Sequence, residues 1–233
     1  QHNQNPILSI KNLRTQFPTR QGLVCAVDGV NLEVNRGESL GVVGESGSGK
    51  SVTFLSVMGL IRQPGKIVSG SIIFDGQEII GLPDADYRQL RGKSIAMTMQ
   101  DALTALNPAL TVGSQIVETI LNHDKSFFQS PGSYRRAKEQ AIEIMRLVSI
   151  PDAHIRFQEY PHQFSGGMRQ RIMIATALAC RPKLLIADEP TTALDVTIQE
   201  QILDLIDGMK KSLGMSVVII SHDIGVVAQN CEK

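Results

Sequence analysis

The sequence has little that points to a nucleic-acid-binding protein or to a metal site built from cysteines. Lys and Arg together number 23, the same as Asp and Glu, so the formal net charge is zero. A general nucleic-acid binder needs a basic excess to hold phosphates, and the balance argues against that class while allowing a small basic pocket. The three cysteines, Cys25, Cys180 and Cys231, lie far apart and are odd in number. We interpret them as reduced thiols in a cytosolic protein rather than metal ligands.

Long apolar segments are also missing. No run approaches the roughly 18 apolar residues that a membrane-spanning helix needs, and no signal peptide is visible. The best apolar runs, residues 184–187 and 217–220, have the length of strands. If this protein serves a membrane, we expect it to do so through a partner. With 233 residues, of which 42% are hydrophobic and 20% charged, the chain has the composition of an ordinary globular protein with a sizeable core.

The first third of the chain is predicted to be rich in strands. Residues with β propensity alternate or cluster in residues 7–17, 23–34 and 69–74, and Asp75-Gly76 is a hairpin turn signal. Residues 39–43 form a short apolar run that stops at a glycine. The middle third differs, because it shows the spacing of helices.

The helical spacing in the middle covers residues 112–121 and 134–148, and Ser133 is a candidate N-cap for the second helix. We therefore interpret residues 100–164 as a helical subdomain. The last third alternates predicted helices and strands, namely helices over residues 169–179 and 198–209 and strands over residues 184–187 and 216–220. This alternation implies a parallel sheet with crossover connections. We predict one domain over residues 1–233, whose core consists of residues 1–99 and 165–233.

One loop has the pattern G-x-x-x-x-G-K-[ST] between a predicted strand and a helix predicted over residues 50–61. Its members are Gly44, Glu45, Ser46, Gly47, Ser48, Gly49, Lys50 and Ser51. The glycines let backbone N–H groups surround phosphate oxygens, and the helix adds its positive N-terminal end. Lys50 would contact the β- and γ-phosphates, and the Ser51 hydroxyl would ligate Mg²⁺. The loop predicts binding of ATP or GTP.

Two acidic residues follow the apolar strand at residues 184–187. Asp188 and Glu189 would stand at the carboxyl edge of a parallel sheet, where such folds bind ligands. Asp188 would hold Mg²⁺, directly or through water, and Glu189 would polarise the water that attacks the γ-phosphate. An exposed acidic turn before Pro190 is the alternative, and the presence of the phosphate loop argues against it.

The stretch from Phe164 to Arg171 resembles the signature sequence of ATP-binding-cassette (ABC) ATPases, usually written LSGGQ. Its Ser165-Gly166-Gly167 core is intact, while Phe164 and Met168 replace the usual Leu and Gln. We expect these two replacements to alter packing only. Ser165, Gly166 and Gly167 open a predicted helix, so their N–H groups form a second anion site.

The resemblance extends over nearly the whole chain and implies further site residues. Gln100, after the strand predicted at residues 95–99, is similar to the Q-loop glutamine, which serves catalysis and Mg²⁺. Asp195, in Ala193-Leu194-Asp195, is similar to the D-loop aspartate near the nucleotide. His222 resembles the switch histidine of catalysis. Phe17 stands where the family places an aromatic ring that stacks on adenine, although a longer loop follows it here.

Finer motifs resemble the subfamily that powers import of dipeptides, oligopeptides, nickel or glutathione. They are Leu106-Asn107-Pro108, Tyr160-Pro161-His162-Gln163, Met168-Arg169-Gln170-Arg171 and the run from Thr191 to Thr197. Met99 before Gln100 is a departure, because the subfamily commonly has Phe there. Members also continue well beyond this length, often with cysteines for an iron–sulfur cluster, so we expect a further C-terminal segment after Lys233.

The fold implied by the resemblance is a P-loop α/β core with an antiparallel β subdomain and a helical subdomain. The implied partners are a second ATPase chain, the same or homologous, in a dimer with ATP between the chains, membrane-embedded permease subunits and, indirectly, a substrate-binding protein. The implied location is the cytoplasmic face of a bacterial membrane. No nucleic-acid partner is expected. Alternatives are a soluble ABC ATPase acting on DNA or ribosomes, a P-loop kinase or GTPase, and a nucleotide switch without hydrolysis.

Overall fold

The computed structural model describes residues 5–123, 132–192 and 194–233. Its strands form two sheets. The antiparallel sheet has the order β2-β1-β4-β5 and consists of β1 (Leu8–Thr19), β2 (Gly22–Val34), β4 (Lys66–Phe74) and β5 (Gln77–Glu78). The parallel sheet has the order β3-β8-β7-β6 and consists of β3 (Ser39–Val43), β6 (Ile95–Thr98), β7 (Leu184–Asp188) and β8 (Ser216–Ser221). The predicted α/β fold with separate antiparallel and parallel β regions is confirmed.

The helices surround the parallel sheet and follow the predicted pattern closely. They are α1 (Lys50–Val57), α2 (Asp84–Leu90), α3 (Ala102–Ala105), α4 (Val112–His123), α5 (Ser133–Leu147), α6 (Ala153–Arg156), α7 (Gly166–Leu178), α8 (Val196–Leu213) and α9 (Ile224–Asn230), with a short 3₁₀ turn at Pro161–Gln163. None of these described helices is long and apolar enough to cross a membrane.

Several helix bounds differ by a few residues from the sequence predictions, and two of the differences have a cause in the backbone of a glycine. The first helix ends at Val57 rather than near residue 61, because Gly59 adopts a left-handed φ of 61° that stops the helical ladder. The prediction that Ser133 caps the second helix is wrong, because the N-cap of α5 is Gly132, which has a φ of 84° and no side chain that could form a capping bond. By contrast, the Asp75-Gly76 hairpin turn is confirmed, because Phe74 pairs with Gln77 and both turn residues have positive φ.

The parallel sheet is buried on both faces, as its unbroken apolar strands require. In β7, Leu185 and Ala187 pack with α4, α5, α7 and α8, whereas Leu184 and Ile186 pack with α1 and the antiparallel sheet. Every residue of β7 and β8 is buried. This double burial fixes the register of the strands, and with it the positions of the loops that follow them.

Candidate active site

The register of the parallel sheet brings four predicted site segments to one edge. Val43 at the end of β3 pairs with Ser221 at the end of β8, so the phosphate loop lies beside His222. Asp188 pairs with Ile220, which places the acidic pair next to the same histidine. On the other side of β7, Thr98 of β6 pairs with Ala187, so the chain leads from there to Gln100. Neighbouring carboxyl ends thus gather residues that are up to 178 positions apart in sequence, as Gly44 and His222 are.

The phosphate loop joins β3 to α1, as predicted, and Gly49 is the N-cap of that helix. Gly49 has a φ of 90°, and a Cβ atom at this position would lie 2.1 Å from the carbonyl oxygen of Ala26. A side chain is therefore excluded on two grounds, the left-handed backbone and the close approach of β2. The glycine allows the loop to turn tightly into the helix, so the first N–H groups of α1 remain available to an anion.

Lys50 folds back over its own loop in this structure. Its Nζ donates to the carbonyl oxygens of Gly44, at 2.5 Å, and Glu45, at 2.7 Å, and approaches the Ser48 hydroxyl at 3.3 Å. These acceptors hold the ammonium group at the mouth of the loop. Because they are neutral oxygens, a triphosphate would compete for the ammonium effectively, since hydrogen bonds between two charged groups are stronger.

A hydrogen bond joins the side chains of Ser51, in the first turn of α1, and Asp188, at the end of β7. The Ser51 hydroxyl donates to Oδ1 of Asp188 at 3.1 Å. Burial raises the pKa of the Asp188 carboxyl above its ordinary value, and the neighbouring Glu189 carboxylate adds to the rise, while the Ser51 bond opposes it. A hydroxyl and a carboxylate oxygen side by side fit the preference of Mg²⁺ for oxygen ligands.

In the described part of the chain, three side chains lie against the Glu189 carboxylate, and all three approach the same oxygen. Gln100 Nε2 donates to Oε2 at 2.7 Å, the Thr192 hydroxyl donates to it at 2.8 Å, and His222 Nδ1 lies 3.6 Å from it. The Glu189 backbone has a left-handed φ of 46°, which is uncommon for a residue with a side chain and is concentrated at functional sites.

The signature segment lies at the start of α7. Ser165 is the N-cap, its Oγ accepting the Met168 N–H at 3.4 Å. A Cβ atom on Gly167 would lie 2.7 Å from Ile198, so only glycine allows α7 and α8 to pack this closely. Ser165 and Gly166 are exposed. Among the described residues, no hydrogen bond or ion pair connects Ser165, Gly166 or Gly167 to the phosphate loop, which leaves the signature free to face another molecule.

This arrangement of phosphate loop, acidic strand end and capped signature helix can be compared with known proteins. The family model described as "ABC transporter" matches residues 27–192. The chain belongs to the ABC transporter family. The match includes the phosphate loop, the signature segment and the acidic pair, so this ABC chain is an ATPase, as its motifs predicted.

Individual relatives resemble this ABC ATPase over nearly its whole length. It is 47% identical over 229 residues to the oligopeptide transport ATP-binding protein OppD of Haemophilus influenzae, covering 98% of this chain and 69% of the relative. It is 49% identical over 228 residues to the dipeptide transport ATP-binding protein DppD of Bacillus subtilis, covering 97% of this chain and 66% of the relative. The chain thus spans about two thirds of the length of these relatives.

Solved structures agree with the family assignment. The dimeric structure of MJ0796, a bacterial ABC transporter cassette, has a TM-score of 0.83 and 28% identity, with 97% of this chain and 91% of that one covered. A dimeric post-hydrolysis state of MJ0796 bound to ADP and Pi has a TM-score of 0.81 and 28% identity, with coverages of 94% and 89%. The ABC ATPase fold is therefore confirmed.

The predicted site residues of this ABC ATPase fall into three groups in the structure. The phosphate loop, Asp188, Glu189, His222 and Gln100 lie at one edge of the sheet, and the Gln100 amide contacts Glu189 rather than the Ser51–Asp188 pair. The signature residues and Asp195 form a second group at the starts of α7 and α8, which adjoins the first because Gly166 and Gln100 line one cavity. Asp195 caps α8, its carboxylate accepting the Ile198 N–H at 3.0 Å, while its neighbour Ala193 lies outside the described residues.

Phe17 lies in a third place, near the end of β1. A Cβ atom on Gly65 would lie 2.3 Å from Cε1 of Phe17, so the ring packs directly on that glycine and remains partly exposed. Phe17 pairs with Val24 of β2, whose side chain is 50% exposed, and paired residues share a face of the sheet. The family motifs gave no indication of Val24, since a single valine carries no pattern. Its exposure beside Phe17 makes it a second candidate contact for a nucleotide base.

Replacing Phe17 by alanine is expected to weaken nucleotide binding by roughly 5- to 150-fold, because base–aromatic stacking contributes about 1–3 kcal/mol. Titration with fluorescent ATP and GTP analogues measures the change. Both nucleotides should weaken alike, since stacking depends on the face of the base rather than its edge. Phe17→Tyr keeps the ring and should bind normally. Unchanged affinity in Phe17→Ala would assign the stacking role to another residue.

Proposed function

We propose that this chain is the ATP-hydrolysing subunit of an importer for peptides or a related small solute. The observation that supports it best is the 47–49% identity, over 97–98% of the chain, to ATP-binding proteins named for oligopeptide and dipeptide transport. The finer motifs of the sequence favour the same subfamily. In this proposal residues 100–164 form the helical subdomain, and the remainder forms the nucleotide-binding core.

The proposed working unit is a pair of ATPase chains, of the same or homologous kind, with ATP at their interface. The phosphate loop of one chain would hold the β- and γ-phosphates through Lys50 and the N–H groups of α1. The exposed start of α7 in the other chain would approach from the opposite side, with Ser165, Gly166 and Gly167 donating to the γ-phosphate. The exposure of Ser165 and Gly166 and the dimeric MJ0796 structures support this arrangement.

Hydrolysis requires a base near the γ-phosphate, and Glu189 is the proposed one. Its carboxylate would accept a proton from the attacking water, while His222 and Gln100 would orient the reacting groups. Ser51, Asp188 and Gln100 would hold Mg²⁺, which neutralises charge on the β- and γ-phosphates when bound. Gln100 donates to Glu189 from its amide nitrogen, whereas Mg²⁺ would take its amide oxygen, so one side chain would connect the metal site to the base.

The proposed contact with the permease is a groove between the end of β6 and the helices α3, α4 and α7. Its volume is about 430 Å³, and much of its lining is apolar, including Met97, Met99, Leu106, Leu110 and Ala177. Met99 and Leu110 are 48% and 38% exposed. Because Met99 precedes Gln100, a permease segment in this groove would be mechanically linked to the active site. The chain would then act at the inner face of the membrane as a peripheral subunit.

Transport tests this proposal directly. The chain, its partner ATPase, its permease subunits and its binding protein are reconstituted in liposomes, and uptake of a labelled di- or oligopeptide is followed with and without Mg²⁺-ATP. We expect ATP-dependent uptake. Leu110→Glu, within the groove, should abolish it, whereas Leu147→Glu, at a leucine of similar exposure on α5, should retain it. Stimulation of hydrolysis by DNA or ribosomes, with no uptake of peptides or related solutes, would contradict the proposal.

A further inference from the structure

Thr192 contacts the proposed base, although no catalytic motif assigns it a role. Its hydroxyl donates to Glu189 Oε2 at 2.8 Å, and Thr192 also lines a small cavity with Gln100, Gly166 and Gln170. The contact is short and made by a partly buried side chain. A hydroxyl donating to a carboxylate fixes the direction of that carboxylate's remaining lone pairs, which is what a base needs before it can accept a proton from water.

The position of Thr192 follows from a tight turn at the end of β7. The Thr192 N–H donates to the Glu189 carbonyl oxygen at 3.2 Å, and Pro190 occupies the second position of this four-residue turn, where its fixed φ is favoured. The Glu189 N–H donates to the Ile220 carbonyl oxygen of β8 at 2.9 Å. Glu189 and Thr192 therefore belong to one hydrogen-bonded turn, and this turn is held at the end of β7 by the bond from Glu189 to β8.

The other two contacts to Glu189 do not share this anchoring. Gln100 follows β6, is exposed, and donates from a separate loop. The His222 side chain is 61% exposed and 3.6 Å away, beyond hydrogen-bond distance. If Gln100 turns toward Mg²⁺ and the γ-phosphate, the Thr192 hydroxyl is the donor that remains. Among the described residues none donates to Oε1, which leaves that oxygen for the attacking water.

We propose that Thr192 is a positioning residue that holds Glu189 Oε2 in place throughout the ATP cycle, so that Oε1 faces the attacking water. The inference rests on the proposed role of Glu189 as the base. It assigns Thr192 no contact with ATP. Removing the hydroxyl should therefore slow hydrolysis and leave nucleotide binding unchanged.

The test compares Thr192→Val, Thr192→Ala and Thr192→Ser with the parent chain and with Glu189→Gln. Both hydroxyl-free variants should lower kcat on the order of 10- to 100-fold, the range expected for one hydrogen bond to a charged group. KM for ATP and ATP-dependent dimer formation should stay within about 2-fold, on the view that binding does not use this bond. Thr192→Ser keeps the hydroxyl and should recover most of kcat. In the Glu189→Gln background, Thr192→Val should cost nothing further, because the two residues act as one unit.

Each other outcome overturns a defined part of the account. Near-normal turnover in Glu189→Gln would show that Glu189 is not the base, and the proposed role of Thr192 would fail with it. Loss of turnover in Glu189→Gln together with normal kcat in Thr192→Val would overturn the Thr192 inference alone. Equal slowing in Thr192→Ser and Thr192→Val would show that the hydroxyl is not responsible. A raised KM at unchanged kcat, or loss of folding in both hydroxyl-free variants, would assign Thr192 a merely structural role.

Discussion

The Glu189→Gln variant is expected to hydrolyse ATP at least about 10²-fold more slowly than the parent chain, because loss of a general base typically costs 10²- to 10⁴-fold. Glutamine matches the shape of glutamate, and its amide oxygen can still accept the bonds from Gln100 and Thr192. What it lacks is the basicity to take a proton from water. ATP binding should survive, and the dimer that ATP forms should persist because the reaction that opens it is blocked.

Phosphate release and gel filtration with Mg²⁺-ATP measure both effects. The matched control is Glu159→Gln, which makes the same change at another glutamate. Glu159 lies just after α6 and forms an ion pair with Arg156, the last residue of that helix. That variant should hydrolyse ATP at close to the parent rate. Near-normal phosphate release by Glu189→Gln, or loss of ATP binding in it, would reject Glu189 as the base.

The sequence was sufficient to predict where the contiguous motifs of this candidate site lie in the fold. The phosphate loop, the acidic pair and the signature each combine residue types with a required spacing. Strand positions were also predictable, because β7 and β8 are buried on both faces and are therefore continuous apolar runs. Once these strands are parallel neighbours, Glu189 and His222 must lie side by side.

Contacts that depend on the conformation of loops and turns were not predictable. Gln100 was expected near Mg²⁺, and its bond to Glu189 depends on how the loop after β6 turns, which no local pattern encodes. The Thr192 contact depends on the turn at Pro190 and on a left-handed Glu189, a conformation that residue type does not favour. The Gly132 cap was missed because a neighbouring serine offered the commoner capping residue.

The central claim is that two chains share each active site, since no hydrogen bond or ion pair joins the signature at α7 to the phosphate loop in the part of the chain that the structure describes. Each hydrogen bond from the signature to a charged phosphate contributes about 1.5–3 kcal/mol, so two or three of them suffice to drive ATP-dependent association. The claim predicts how two defective variants behave together. Lys50→Ala damages the phosphate loop, and Ser165→Arg blocks the exposed signature.

Each variant alone should fail to dimerise with ATP, because both of its sites carry the defect. In a mixed dimer one site carries both defects and the other carries none.

The decisive measurement is therefore crosslinking or light scattering with Mg²⁺-ATP on Lys50→Ala, on Ser165→Arg and on their mixture. The account predicts association in the mixture only, at a level well above either variant alone. If the parent chain dimerises under these conditions while the mixture associates no better than the separate variants, the active site is not shared between chains.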